Sequence, residues 1–215
     1  MKIAILGGTG PEGMGLGIRW AVAGHQVIIG SREAEKGERI AREMSELYSE
    51  GDIQGVDNLT AAREADIAVL TVPYTGQEPT LLGVKNHLTG KLLVTVVAPT
   101  TAPKARAWRL PSGLSAAEEA QQTVGDDVRV VAAFQNIGAH NLKDPDYQLD
   151  CDVLICGDSK DDKKIVMALC SAAGFRGVNG GALQNASVAE GLVSLLIAVN
   201  IIYKVKDAGI RITGI

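Results

Sequence analysis

Aromatic residues are scarce: two Trp, four Tyr and two Phe make up 4% of the 215-residue chain. So few rings cannot supply the stacking platforms of a single-strand nucleic-acid binder or of a sandwiched flat ligand. Any planar ligand must lie mostly on aliphatic side chains and backbone. Positive charge is not in excess either, since 21 Lys and Arg stand against 25 Asp and Glu, a formal net charge of −4. No basic run is visible, and a nucleic-acid partner is not expected. Cysteine is limited to Cys151, Cys156 and Cys170, an odd number in apolar contexts. They read as reduced core thiols, not as a disulfide framework or a metal site. The apolar stretch "GLVSLLIAVNII", residues 191–202, falls short of the ~20 residues a bilayer requires and reads as a buried helix, so no membrane partner is expected. Met1 and Lys2 lead straight into an apolar run without the features of a signal peptide, which suggests a cytoplasmic protein.

What is present is alternation. Short runs rich in Val, Ile and Leu at residues 3–6, 27–29, 67–71, 92–97 and 128–132 are separated by helical segments. This is the pattern of a parallel sheet buried on both faces and wrapped by helices. The clearest helix spans residues 33–49, with Ile40, Met44 and Leu47 on one face and Gly51 as its stop. Past residue 132 the pattern loosens, with a further strand at 153–156 and a helix over 159–173. From Asn185 a long apolar helix is expected, with Gly209 near its end, packed on the sheet or across a subunit interface. The expectation is an α/β fold: a Rossmann-type doubly wound, mostly parallel sheet and a short C-terminal extension ending in that helix. Residues 1–215 read as a single domain, 1–134 being the dinucleotide-binding core and 135–215 the extension. The loosest connection, residues 98–113, holds Pro99, Pro103 and Pro111 with Arg106 and Arg109 near Trp108. It reads as a ligand lid or a surface excursion.

Gly8, Gly10 and Gly13 form G-x-G-x-x-G directly between the first strand and a helix. In that context the first glycine permits a tight turn, the second lets a pyrophosphate approach the backbone, and the third lets helix and strand pack closely. Gly7, Gly15 and Gly17 weaken the helix start without evident structural need. Pro11 suits the first helical turn; Glu12 brings a carboxylate close to a site meant for anions and is expected to point away from the pyrophosphate. At the end of the second strand a NAD site places Asp or Glu, but the chain reads Gly30, Ser31, Arg32. Ser31, Arg32 and Lys36 instead describe a pocket for a 2′-phosphate, and the expected nucleotide is NADP(H).

A proton donor is missing. His25 and His87 read as surface residues remote from the strand ends, which leaves His140 as the one histidine that could face the crevice. "VPYTG" from Val72, "APT" from Ala98 and "QNIGA" from Gln135 frame the nicotinamide position with small or apolar groups. Such a floor suits direct hydride transfer between two flat rings, which asks for close approach more than for proton shuttling. No side chain is assigned a catalytic role.

The segments "GGTGPEG", "GSREAEK", "DIAVLTVP", "AFQNIGAHNL" and "CDVLICGD", in this order, resemble the NADPH-dependent reductases of the deazaflavin coenzyme F420, or F420H2:NADP oxidoreductases. The resemblance spans nearly the whole chain. It implies an oxidoreductase that moves a hydride between NADP(H) and F420, with the deazaflavin ring stacked on the nicotinamide. It further implies that Thr9, Gly10, Pro11 and Glu12 line the pyrophosphate and nicotinamide side, that Ser31, Arg32 and Lys36 hold the 2′-phosphate, and that Val72, Ala98 and Ile137 border the nicotinamide; Gly8 and Gly13 of the glycine motif and Pro73 beside Val72 are expected to belong to the cofactor site as well. Pro11 and Glu12 depart from the "GTGNLG" form frequent in archaeal members. Two alternatives stay open: reduction of a small imine or carbonyl metabolite, which would need a proton donor such as His140 or Lys204, and a non-catalytic NADP-binding sensor. A homodimer through the helix over 185–206 is expected.

Overall fold

The computed structural model describes every residue except Glu50, 101–105, 107–109 and Asn141. The order of elements is β1 Lys2–Leu6, α1 Pro11–Val22, β2 Gln26–Ser31, α2 Ala34–Leu47, β3 Ile53–Asp57, α3 Asn58–Glu64, β4 Ile67–Leu70, α4 Tyr74–Val84, β5 Leu92–Thr95, α5 Ala116–Val124, β6 Arg129–Ala132, β7 Asp152–Ile155, α6 Lys160–Ala172, β8 Arg176–Asn179 and α7 Ala186–Tyr203. Six strands form one parallel sheet in the order β3-β2-β1-β4-β5-β6. The order reverses at β1, and the crevice between β1 and β4 is where open parallel sheets bind ligands. β7 and β8 pair in a second, two-stranded sheet, tied to β6 by an antiparallel bridge between Ala132 and Cys156.

The two-residue period of the strands divides the core into two clusters. Ile3, Ile5, Ile29, Val69 and Val94 face α1, α2 and α6 through Leu16, Trp20, Met44 and Leu169. Ala4, Leu6, Ala68, Leu70 and Leu93 face α3, α4 and α5 through Ala61, Leu81, Ala117 and Ala120. Both faces of the sheet are therefore covered, and the strands are apolar in both phases. All three cysteines are free and buried, as expected.

Several expectations are corrected. β3 and β8 were hidden by Gly, Gln, Asp and Asn in "IQGVD" and "RGVN"; both are partly exposed strands that need no apolar run. On α2, Ile40 and Met44 are buried but Leu47 is 71% exposed, because the helix ends there and the chain leaves it at Tyr48, ahead of Gly51. Gly15 and Gly17 do have a structural need: a Cβ on Gly15 would lie 2.3 Å from Leu142 Cβ, and one on Gly17 3.1 Å from both Ile5 and Met44. α7 stops at Tyr203, six residues before Gly209, where Lys204 takes a left-handed conformation and the Asn200 side chain receives the Ala208 N–H at 2.9 Å. Gly209 instead packs against Cys151.

Nor is α7 a buried helix. Its covered positions are Ala186, Ala189, Glu190 and Ser194, whereas Val188, Leu195, Ile201, Ile202 and Tyr203 are 57–72% exposed. With the turn before it, Leu183–Tyr203 reaches 21 residues at a mean hydropathy of 1.8, long and apolar enough by those two measures to cross a membrane.

Candidate functional site

The site starts from the turn between β1 and α1. Gly7 adopts φ +71°, and a Cβ there would overlap Val72 Cγ1 at 2.3 Å. Its N–H donates to Asn58 Oδ1 at 3.0 Å, so a side chain from the start of α3 holds the loop. A Cβ on Gly8 would lie 2.8 Å from the Ile5 carbonyl oxygen, and one on Gly13 2.6 Å from Gly8 Cα. Gly10 differs: a Cβ there meets nothing within 4 Å. Thus Gly8 and Gly13 are dictated by the protein's own packing, while Gly10 opens onto space. Gly10 is the N-cap of α1, Pro11 follows it, and no side chain caps the helix. The first-turn amides are left for an anion, with the positive end of the helix dipole behind them.

β2 runs beside β1 and ends at Ser31. Ser31 is buried and its Oγ accepts the Glu33 N–H at 3.3 Å, which turns the chain into α2. Arg32 and Lys36 are exposed at the N-terminal end of that helix, and among the described residues neither forms an ion pair. Arg32 precedes the N-cap and Lys36 lies in the first turn, so the two cations flank the helix start. The nearest acid on the sheet is Asp57, the register partner of Ser31 on β3. Its carboxylate accepts the Thr60 N–H at 2.9 Å and the Thr60 hydroxyl at 2.7 Å, bonds that hold its pKa below the usual carboxylate range. Asp57 is committed to capping α3 and does not replace the acid missing from β2.

At the carboxyl ends of β4, β5 and β6 lies a cavity of about 340 Å³. It brings together Gly10, Pro11, Glu12, Val72, Pro73, Ala98 and Ile137 of the expected residues. Gly8 and Thr9 belong to the adjoining turn and Gly13 to the first turn of α1. Sequence reasoning missed Thr71, Phe134 and Val193, which also line the cavity, and Asn58, which braces the loop. Phe134 sits at φ +71°, uncommon for a bulky residue. Its ring is edge-on to Trp20 at 5.8 Å and to Phe175 at 6.4 Å, an anchorage that holds the strained turn open at the cavity edge. Glu12 turns into this cavity. Its Oε1 is enclosed without a hydrogen-bond partner, and desolvation raises its pKa from 4.5 to about 8. His25 and His87 are half-buried away from the cavity and His140 is exposed; none of them lines it. Pro103, Trp108 and Arg109 of the connection read as a lid or a surface excursion lie outside the described residues. Arg106 is exposed, and its carbonyl accepts the Ser194 hydroxyl at 3.0 Å.

The model of the family "NADP oxidoreductase coenzyme F420-dependent" matches residues 2–99. The chain is 40% identical to the F420-dependent NADP reductase of Methanocaldococcus jannaschii, over 100% of this chain and 99% of the relative. It is 42% identical to the enzyme of the same name from Methanothermobacter marburgensis, with the same coverage. The crystal structure of a candidate F420-dependent NADP reductase from Arthrobacter sp. FB24 superposes with a TM-score of 0.82 at 24% identity, covering 100% of both chains, which shows the shared fold. Full-length identity at this level, together with the family match over the glycine turn and β2, establishes that this chain belongs to the F420-dependent NADP reductases.

Proposed function

We propose that NADP(H) lies across the crevice with its pyrophosphate over Gly10 and the first turn of α1, its 2′-phosphate between Ser31, Arg32 and Lys36, and its nicotinamide in the cavity edged by Val72, Pro73, Ala98 and Ile137. The protein is an oxidoreductase that transfers a hydride between NADP(H) and coenzyme F420. The observation that carries the placement is the contrast among the glycines. Gly10 faces open space where Gly8 and Gly13 face protein, and this vacancy continues past Glu12 into the cavity at the strand ends.

The nucleotide, when bound, supplies a hydride from its nicotinamide, and the deazaflavin is its acceptor. The chain's part is positioning. Amides at the start of α1 and the cations of the β2–α2 turn fix the two phosphate groups, so the ring end is aimed into the cavity. Val72, Pro73, Ala98 and Ile137 give that ring an apolar floor that excludes water. No histidine lines the cavity, and the preference for F420 over a small imine or carbonyl as hydride acceptor is supported by the full-length relatives.

In this reading residues 1–134 bind the nucleotide. Residues 135–215 help form the deazaflavin side, with Gln135 and Ile137 at its border with the nicotinamide, in a cytoplasmic protein. A homodimer through α7 is supported by its exposed Val188, Leu195, Ile201, Ile202 and Tyr203, an apolar face on an element whose other side is fastened to α5 by Glu190. The function is tested by mixing the purified protein with NADPH and oxidised F420. The deazaflavin's visible absorbance should bleach catalytically; tight NADPH binding with no bleaching in either direction would overturn the assignment.

A further inference from the structure

Two residues that line the cavity each carry a buried, unpartnered oxygen: Glu12 Oε1 and Gln135 Oε1. They come from different sides of the crevice, Glu12 from the first turn of α1 and Gln135 from the turn after β6. The orientation of Gln135 is fixed, because its Nε2 donates to the Thr95 carbonyl at 2.8 Å and a carbonyl can only accept. Oε1 of Gln135 is therefore an acceptor without a donor. An ionised Glu12 would be a second acceptor without a side-chain donor among the described residues, offset by the first-turn amides of α1 alone, and those are assigned to the pyrophosphate.

The neighbours confirm that isolation. β4 presents Thr71 and Pro73, β5 presents Val96 and Ala98, β6 adds Ile137, and α7 adds Val193. Among the described residues Glu12 is the one titratable side chain lining the cavity.

We propose that Glu12 serves as a neutral carboxylic acid whose O–H donates a hydrogen bond to the carbonyl of the nicotinamide carboxamide, while Gln135 Oε1 accepts the N–H of the same group. This rests on the placement of the nicotinamide in this cavity. A primary amide presents one acceptor beside one donor, the complement of an acid on one side and a fixed carbonyl on the other. No proton is transferred; Glu12 keeps it and orients the ring. Burial, which holds the Glu12 proton up to a pKa of about 8, keeps the donor intact at neutral pH. Above that pH the group loses its only hydrogen and turns two oxygens with negative charge toward the ligand's carbonyl.

The test compares NADPH with 2′,5′-ADP, which keeps the 2′-phosphate end and lacks the nicotinamide, by titration calorimetry from pH 7 to 9.5. In the wild-type protein NADPH affinity should fall about tenfold between pH 7 and 9, the linkage expected when only the protonated form binds and its pKa is about 8. Affinity for 2′,5′-ADP should not follow that curve. Glu12→Gln keeps a donor that does not titrate, so its NADPH curve should be flat, and its unchanged 2′,5′-ADP affinity should show an intact fold. Infrared difference spectra of wild type minus Glu12→Gln at pH 7 should contain a protonated-carboxyl band that shifts on adding NADPH. Parallel NADPH curves for the two proteins, or no such band, would overturn the role of Glu12 while the nicotinamide stays in the cavity. Equal wild-type affinity for NADPH and 2′,5′-ADP at every pH would instead remove the nicotinamide from the cavity, and this inference with it.

Discussion

Oε2 of Glu190, on α7, accepts the backbone N–H of Ala116 at 2.9 Å, and its Oε1 accepts that of Ala117 at 3.1 Å. One buried carboxylate from the last helix thus caps the start of α5, beside that helix's own capping box of Ser115 and Glu118. Burial pushes the Glu190 pKa from 4.5 up to about 7, against the opposing pull of the two amides, and the nearby Glu118 and Glu119 add to the rise. A folded-state pKa above the unfolded value means that the native protein holds the extra proton between pH 4.5 and 7. Stability conferred by the protonated group is full below that window and is lost as pH rises through it, by on the order of 3 kcal/mol. Glu190→Gln should remove this slope. Melting temperatures of the two proteins from pH 4.5 to 8 decide it, and parallel profiles would contradict the claim.

The glycines of the β1–α1 turn and of α1 separate folding from binding. Gly10→Ala should leave the melting temperature unchanged, because its Cβ meets no protein atom within 4 Å, yet weaken NADPH by roughly 10- to 150-fold through loss of a charge-assisted contact to the pyrophosphate. Gly15→Ala should do the reverse, costing about 1–3 kcal/mol of stability by driving a methyl into Leu142. Thermal melts and nucleotide titrations on both variants check this. A large stability loss for Gly10→Ala would mean that the open space belongs to the fold.

Cofactor choice is assigned to Arg32. A charge-assisted hydrogen bond to a phosphate is worth about 1.5–3 kcal/mol, so Arg32→Ala should weaken NADPH binding by roughly 10- to 150-fold while NADH binding barely changes. Equal losses for the two nucleotides would show that Arg32 does not read the 2′-phosphate.

The central strands and the glycine turn were legible because both depend on local pattern: continuous apolar runs for strands covered on both faces, and glycine spacing for the close approaches at Gly8 and Gly13. β3 and β8 were not, since an edge strand may carry Gly55 or Gly177 without losing its pairing. The length of α7 was overread because Asn200, which turns the chain back, leaves no mark in an apolar periodicity. Glu12 illustrates a different limit. Its place beside the nucleotide turn was visible, and so was its need to avoid the pyrophosphate, but the cavity that it lines is completed by Phe134, Ile137 and Val193, residues more than a hundred positions away. Asn58 is likewise invisible as a brace for Gly7, being 51 residues distant on an element that follows a hidden strand.

His140 is exposed and outside the cavity, so His140→Ala should keep most of its turnover at saturating concentrations of both substrates. A drop approaching the ~10²- to 10⁴-fold typical of a lost acid–base group would restore the imine or carbonyl reductase as the better reading.

The account rests most on direct transfer between two rings held face to face in a cavity whose one titratable side chain among the described residues, Glu12, keeps its proton. NADPH carrying deuterium at the transferred position, incubated with the protein and oxidised F420 in ordinary water, tests this most directly. The label should arrive at C5 of the reduced deazaflavin, as read by mass spectrometry and proton NMR. Reduced deazaflavin carrying hydrogen from the solvent at C5 in its place would contradict direct transfer, and with it the positioning role given to the cavity.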